Sequence, residues 1–316
     1  MEIVTRGTTL VKNDVTTTFN VLMKNLNEDT LVEIFKHCDD IFESTSAISR
    51  FIQAWGKFQE LRETLDFSML KSNFIKSRSE PFVWVNSRCD NILYNLLFVA
   101  LNLSQGNIKT LIFHYNLYLS NDQFSCIAKR CPLVRRIFFV SWNRIKKVEM
   151  QKAIRGWNDL ESMTMPAIRD PTYVFQEISS NCKNFKELKV MSRLAEGFAF
   201  SLVTYLPNLK VLSVRCLGLV KEALILILDN LKYLEVLNTS HSYFVEHTPN
   251  EEGYRFISYI DSNTIGEKVS KLRQFITCME KSCIMCKRTR MDCGLPRWYR
   301  YEEGIWKDDE VSSLAL

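Results

Sequence analysis

With 316 residues, 46% of them hydrophobic, the chain can bury a large core, which excludes a disordered or fibrous protein. The net charge of +5 comes from 41 basic and 36 acidic residues interspersed along the chain, so bulk charge gives no sign of a nucleic-acid partner. The most apolar stretches, Ile92 to Leu103 and Ala223 to Leu231, fall well short of the roughly 20 residues a membrane-spanning helix needs. Ten cysteines with no N-terminal apolar segment ahead of a cleavage site lead us to expect reduced thiols and a location in the nucleus or cytoplasm.

A disordered N-terminus is expected over residues 1–21, then a small helical head over 22–60. In LNEDTLVEIFKHC, Asn27 can cap a helix, Glu28 and Asp29 suit its first turn, and Leu26 and Leu31 stand at the two positions of a hydrophobic staple. Leu31, Ile34, Phe35 and Cys38 then share one face. Ile48, Phe51, Ile52, Trp55 and Phe58 form a second stripe at spacings of three and four. So small a module buries little surface alone and must be completed by a partner or by the next domain.

A first strand, TLDFS from Thr64, opens a repeat region over 61–245. There a six-residue frame with apolar first, fourth and sixth positions recurs: IKTLIF from Ile108, VRRIFF from Val134, LESMTM from Leu160, FKELKV from Phe185, LKVLSV from Leu209 and LEVLNT from Leu234. Successive frames start 24 to 26 residues apart. The fourth and sixth positions face the same way only in extended chain, so each frame is a strand. Between frames lie stretches of helical spacing: Phe124, Ile127 and Ala128; Val174, Phe175 and Ile178; Leu224, Ile227, Leu228 and Leu231. Strand plus helix repeated every 25 residues predicts an α/β solenoid, a parallel sheet on its concave side and helices on its convex side, closed into one core by stacking. Three residues ahead of the second to sixth frames stand Cys131, Trp157, Cys182, Leu206 and Leu231, where each helix should end in a buried position. Cys131 and Cys182 thus read as small apolar residues.

Strand residues facing away from the helices should line a concave surface suited to a protein partner, with Ile112, His114, Arg136, Phe138, Glu187, Lys189 and Arg215 as candidate contacts. The four histidines form no catalytic motif with any neighbour, and neither a phosphate-cradling glycine loop nor a nucleophile elbow is present, so no enzymatic activity and no cofactor are expected.

Residues 246–316 read as a linker and C-terminal cap. The turn-prone HTPNEEG from His247 leads into an expected helix carrying Val269, Leu272, Phe275, Ile276 and Met279. Cys278, Cys283, Cys286 and Cys293 follow. Cys283 and Cys286 have the spacing of a zinc-binding pair, but Cys278 and Cys293 do not make a second, and no histidine lies within thirty residues of the cluster. The expectation is a packed, reduced cap without metal, with zinc and a redox-sensitive pair as the competing readings. Trp298, Tyr299, Tyr301 and Trp306 alternate with Arg297, Arg300 and Lys307 and would cover the last repeat.

Taken together these features resemble the plant F-box/leucine-rich-repeat proteins. The head resembles an F-box through Leu26, Leu31, Ile34, Phe35 and Trp55, with Leu26-Asn27 in place of Leu-Pro and Gln53-Ala54 in place of Val-Cys. SMLKSNFIK from Ser68, GNIKTLIFHYNLYLS from Gly106, WNRIKK from Trp142 and SCIMCKRTRMDCGLPRWYRYEEGIWK from Ser282 are similar to a subfamily of that group, in which the position of Cys293 is often acidic. The resemblance implies a non-catalytic receptor subunit of a cullin-type ubiquitin ligase. Leu26, Leu31, Ile34, Phe35 and Trp55 would bind a Skp-family adaptor and through it the cullin scaffold, and the repeats would hold an unidentified protein substrate. The alternative it leaves is a stand-alone repeat scaffold whose head no longer binds the adaptor.

Overall fold

A computed structural model of the chain describes residues 63–67, 97, 101, 104–113, 118–139, 142–143, 145–165, 170–190, 193–247, 254–257, 262–278 and 282–291. The head, with Leu26, Leu31, Ile34, Phe35 and Trp55, the aromatic tail and Cys293 lie outside the described residues, as does His114.

Each of the six sequence frames becomes a strand that begins at its third residue. These are β2 (Thr110–Phe113), β4 (Arg136–Phe138), β6 (Ser162–Met165), β7 (Glu187–Val190), β8 (Val211–Ser213) and β10 (Val236–Asn238). Preceded by β1 (Thr64–Phe67) and followed by β13 (Gln274–Ile276), they make one sheet in chain order, and every pairing is parallel. The first, fourth and sixth positions of all six frames are buried against the helices, as period-two alternation requires.

Among the described residues five helices connect the six frames: α1 (Asn121–Arg130), α2 (Lys147–Gly156), α3 (Pro171–Asn181), α4 (Glu196–Tyr205) and α5 (Lys221–Asn230). Ser120 starts α1 with a reciprocal capping box to Gln123, and Pro171 opens α3, where its missing N–H costs nothing. Cys131, Trp157, Cys182, Leu206 and Leu231 are the residues on which the five helices end, and all are buried. The Cys182 thiol donates to the Trp157 carbonyl at 3.3 Å, and burial pushes both it and the Cys131 thiol up to about 12. These two sulfurs behave as apolar filling. The Trp157 indole stands edge-on to Phe124, with ring centroids 5.9 Å apart, and so joins two neighbouring repeats.

A backbone ladder fixes the register. The carbonyl of each frame's second residue accepts two N–H groups from the next frame: Lys109 from Arg135 and Arg136, Arg135 from Glu161 and Ser162, Glu161 from Lys186 and Glu187, and so on to Lys210. The same residues carry ion pairs, a half-buried one between Glu161 and Lys186 at 2.7 Å and an exposed one between Glu235 and Lys210 at 2.8 Å, the latter contributing little to stability.

A second tier of short strands follows the main rungs. β3 (Tyr118–Leu119) pairs with β5 (Trp142–Asn143), and β9 (Gly218–Val220) pairs with β11 (Tyr243–His247), which also forms an antiparallel ladder with β12 (Tyr254–Ile257). Beyond it the structure departs from the sequence expectation. The helix foreseen through Met279 is α6 (Ser262–Val269) only, and the chain then extends as β13 to give the sheet an eighth strand. Pairing with β10 supplies hydrogen bonds that a continued helix would lack, notably from the Thr239 N–H to the Ile276 carbonyl at 2.7 Å. The last described element is α7 (Ile284–Met291). Among the described residues no helix is long and apolar enough to cross a membrane.

Candidate functional site

Two places hold the residues singled out in the sequence. The first is the sheet face turned away from the helices. The strands present Ile112, Arg136, Phe138, Glu187 and Lys189 there, as the alternation predicts, but most of these side chains are buried. Phe138 is 1% exposed, Glu187 and Lys189 are each 2%, and Ile112 and Arg215 are 6%. Arg136 alone of the described candidates is half-buried. Ile112, Phe138, Glu187, Lys189 and Arg215 are therefore buried where the sequence led us to expect accessible side chains. The alternation tells which side of the sheet a residue takes without telling how far it is buried there.

That face has a polar row at its centre. Ser162 pairs in register with Glu187, and Thr164 with Lys189. Burial pushes the Glu187 carboxyl above its ordinary value, against the pull of the Arg136, Lys186 and Lys189 charges. Thr164 Oγ1 makes no hydrogen bond, and Ser162 gives the Glu187 carboxyl a weak one at best. Such under-satisfied polar atoms cost stability rather than supply it.

At the other place, the C-terminal end of the sheet, the cysteines meet a histidine. Pairing of β10 with β13 sets Asn238 beside Ile276, so that the turn after the one strand and the end of the other lie together, bringing His241 to Cys278. Cys283 sits immediately before α7 and Cys286 in its first turn. The His241 Nδ1 is 3.4 Å from the Cys283 sulfur and 3.5 Å from the Cys286 sulfur. The sulfurs of Cys286 and Cys278 are 3.7 Å apart, and the Cys286 thiol also faces the Cys278 carbonyl at 3.0 Å. All four ligand atoms lie within 4.8 Å of one another. The Cys286 N–H, donated to the Cys283 sulfur, holds that thiol below its ordinary value, whereas burial pushes Cys286 up to about 12.

The sequence placed Cys278, Cys283 and Cys286 together but not His241, which precedes Cys283 by 42 residues. The signal that could have found it is the repeat itself. His241 follows Cys216 by one repeat, and the two share a left-handed backbone, with φ of 60° and 59°. Three thiols and an imidazole converging in this way can take up a borderline or soft metal ion, or exchange disulfides.

No family model matches the chain. Among curated proteins it is 48% identical over 297 residues to an F-box/LRR-repeat protein of Arabidopsis thaliana, an alignment spanning 93% of this chain and 96% of the relative. It is also 27% identical over 227 residues to a second Arabidopsis chain, whose name assigns it provisionally to the F-box proteins; that match covers 71% of this chain and 65% of the relative. Identity at that level along nearly the full length of both chains, together with eight parallel rungs backed by helices, leaves a single assignment: the chain belongs to the F-box/LRR-repeat proteins.

Proposed function

We propose that the chain is the substrate-recognition subunit of a Skp-cullin-F-box ubiquitin ligase, acting in the nucleus or cytoplasm. The observation that supports this reading most is the near-full-length kinship with an F-box/LRR-repeat protein. The head, through Leu26, Leu31, Ile34, Phe35 and Trp55, docks on a Skp-family adaptor, while the solenoid holds a protein target. The contribution to catalysis is proximity: a target held beside the ligase presents its lysines at high effective concentration to chemistry performed by other subunits. Because most of the inner sheet face is buried, the target meets the parts that stay accessible, Thr110, Arg136 and Asn238, rather than Phe138, Glu187 or Lys189.

A pull-down of the full chain with a purified Skp-family adaptor tests this. Capture by the wild type, with at least a tenfold loss on combining Leu31→Ala with Ile34→Ala, is the expected result, since buried anchor residues dominate interface energetics. No capture by the wild type would favour the stand-alone scaffold, a reading prompted by Asn27 and by Gln53-Ala54, where F-box sequences usually carry Pro and Val-Cys.

A further inference from the structure

We propose that His241, Cys278, Cys283 and Cys286 bind one zinc ion in a closed, four-coordinate site that fastens α7 to the last two rungs of the sheet. Three thiolates and one imidazole are an established donor set for structural zinc. Three of the six distances between the donor atoms match it, and the others lie within 4.8 Å. Bonds of about 2.3 Å to sulfur and about 2.0 Å to nitrogen at tetrahedral angles place two sulfurs about 3.8 Å apart and a sulfur and a nitrogen about 3.5 Å apart. The protein has 3.7 Å between Cys286 and Cys278, and 3.4 and 3.5 Å from His241 Nδ1 to the two sulfurs of the α7 pair.

Competing accounts of the same cluster fit less well. A disulfide needs sulfurs about 2.05 Å apart, far inside the 3.7 Å seen, and all three thiols are free. A hydrogen-bonded cluster would give each thiol its own acceptor. The Cys286 thiol has one, the Cys278 carbonyl at 3.0 Å, yet its sulfur and that of Cys283 also converge on one ring nitrogen, which has a single lone pair to offer, and thiols are weak donors in any case. Convergence on a shared point is what a common cation imposes.

The ion also answers what holds α7 in place. Eight residues make a helix of about 12 Å, too short to persist alone, so tertiary contacts must supply its stability. Two of its apolar residues do not supply them, because Ile284 is 63% and Met291 82% exposed. The residues it turns inward are Cys286 and Thr289, with Met285 in partial contact with the core. The anchor is sulfur. Upstream, the left-handed turn at His241 repeats the one at Cys216, and the Cys216 N–H donates to the Ser240 carbonyl at 2.9 Å, so the imidazole is held on a turn that belongs to the repeat. Zinc thus closes the open end of the solenoid, where a terminal repeat requires a cap.

The test uses the full chain purified under reducing conditions. Metal analysis should find about one zinc per chain, and replacement by Co2+ should give the intense visible bands of a tetrahedral thiolate complex. His241→Asn keeps a residue that accepts a left-handed turn but removes the imidazole; it and Cys283→Ser should each cut the zinc content to about a quarter or less, while Cys182→Ser, in the core, should leave it whole. Should Cys283→Ser fold poorly, the wild type serves: a zinc chelator should speed amide exchange in α7 and residues 238–242 by at least about tenfold and leave β4 and β6 protected. Wild-type protein with under about 0.2 zinc and no cobalt bands, full metal content in His241→Asn, or exchange that a chelator leaves unaltered would each overturn the proposal.

Discussion

In the central rungs every return helix stops on a buried side chain, and cysteine serves there as one option among tryptophan and leucine. At the C-terminal end the helix after the last rung leaves Ile284 and Met291 in solvent and turns a thiol inward. The two regions share a backbone plan but differ in what closes the core. The Cys182 thiol faces two backbone carbonyls and Cys131 is wholly enclosed in the core, and burial raises both to about 12. Cys278, Cys283 and Cys286 face one another and an imidazole. The lesson is that a cysteine's chemistry is decided by the register in which the solenoid places it: one position fills space, another assembles a donor set.

The largest effect expected is in the centre. Trp157→Ala removes a fully buried indole that bridges two repeats and should cost about 3–5 kcal/mol in urea denaturation, with the slope unchanged. A loss under about 1 kcal/mol would mean that apolar packing does not dominate there. Next comes the terminal site. With free zinc held at a hundredfold above its dissociation constant, chelation should withdraw about 2.7 kcal/mol of stability, and exchange measurements should find the change in α7 and the turn at His241 rather than in the central rungs. Smaller still, Cys182→Ser should cost about 1 kcal/mol: apolar burial is lost, but the hydroxyl can still donate to the Trp157 carbonyl.

The smallest effect separates two carboxylates of the central region by sign. Glu177, gripped by Arg155 through bonds of 2.8 and 2.6 Å, is held below its ordinary value. Its contribution is present above the carboxylate pKa of the unfolded chain and fades as pH falls through the folded value. Glu187 is raised by burial, so its contribution is complete below the unfolded pKa and fades as pH rises through the folded one. Urea midpoints followed between about pH 3 and 7 should therefore drift in opposite senses relative to wild type for Glu177→Gln and Glu187→Gln. Parallel drift would break the distinction.

The rungs were legible because their signal is local. Alternation over six residues and a repeat near 25 are both visible in one dimension, and even the buried helix ends could be read three residues ahead of each frame. The eighth rung was not, because Leu272 follows Leu234 by 38 residues and its neighbours Val269, Phe275 and Ile276 fall at helical spacings as well. His241 escaped for a related reason: its partners are close only after β13 has paired with β10. The burial of Phe138 and Lys189 was invisible, since alternation gives the side a residue takes and not its exposure. The adaptor-binding residues of the head lie outside the described residues.

The ladder of carbonyls on the second residue of each frame has a bearing on how such a chain can change. Each carbonyl grips only the rung beside it, and the Glu235 carbonyl takes the Gln274 N–H at 3.1 Å although a hairpin and a helix intervene. The sheet is thus indifferent to the length of the detour between rungs. Insertions can accumulate on the outer path without disturbing the stack, and new chemistry can be carried in on the detour and delivered to whatever the preceding rung already presents.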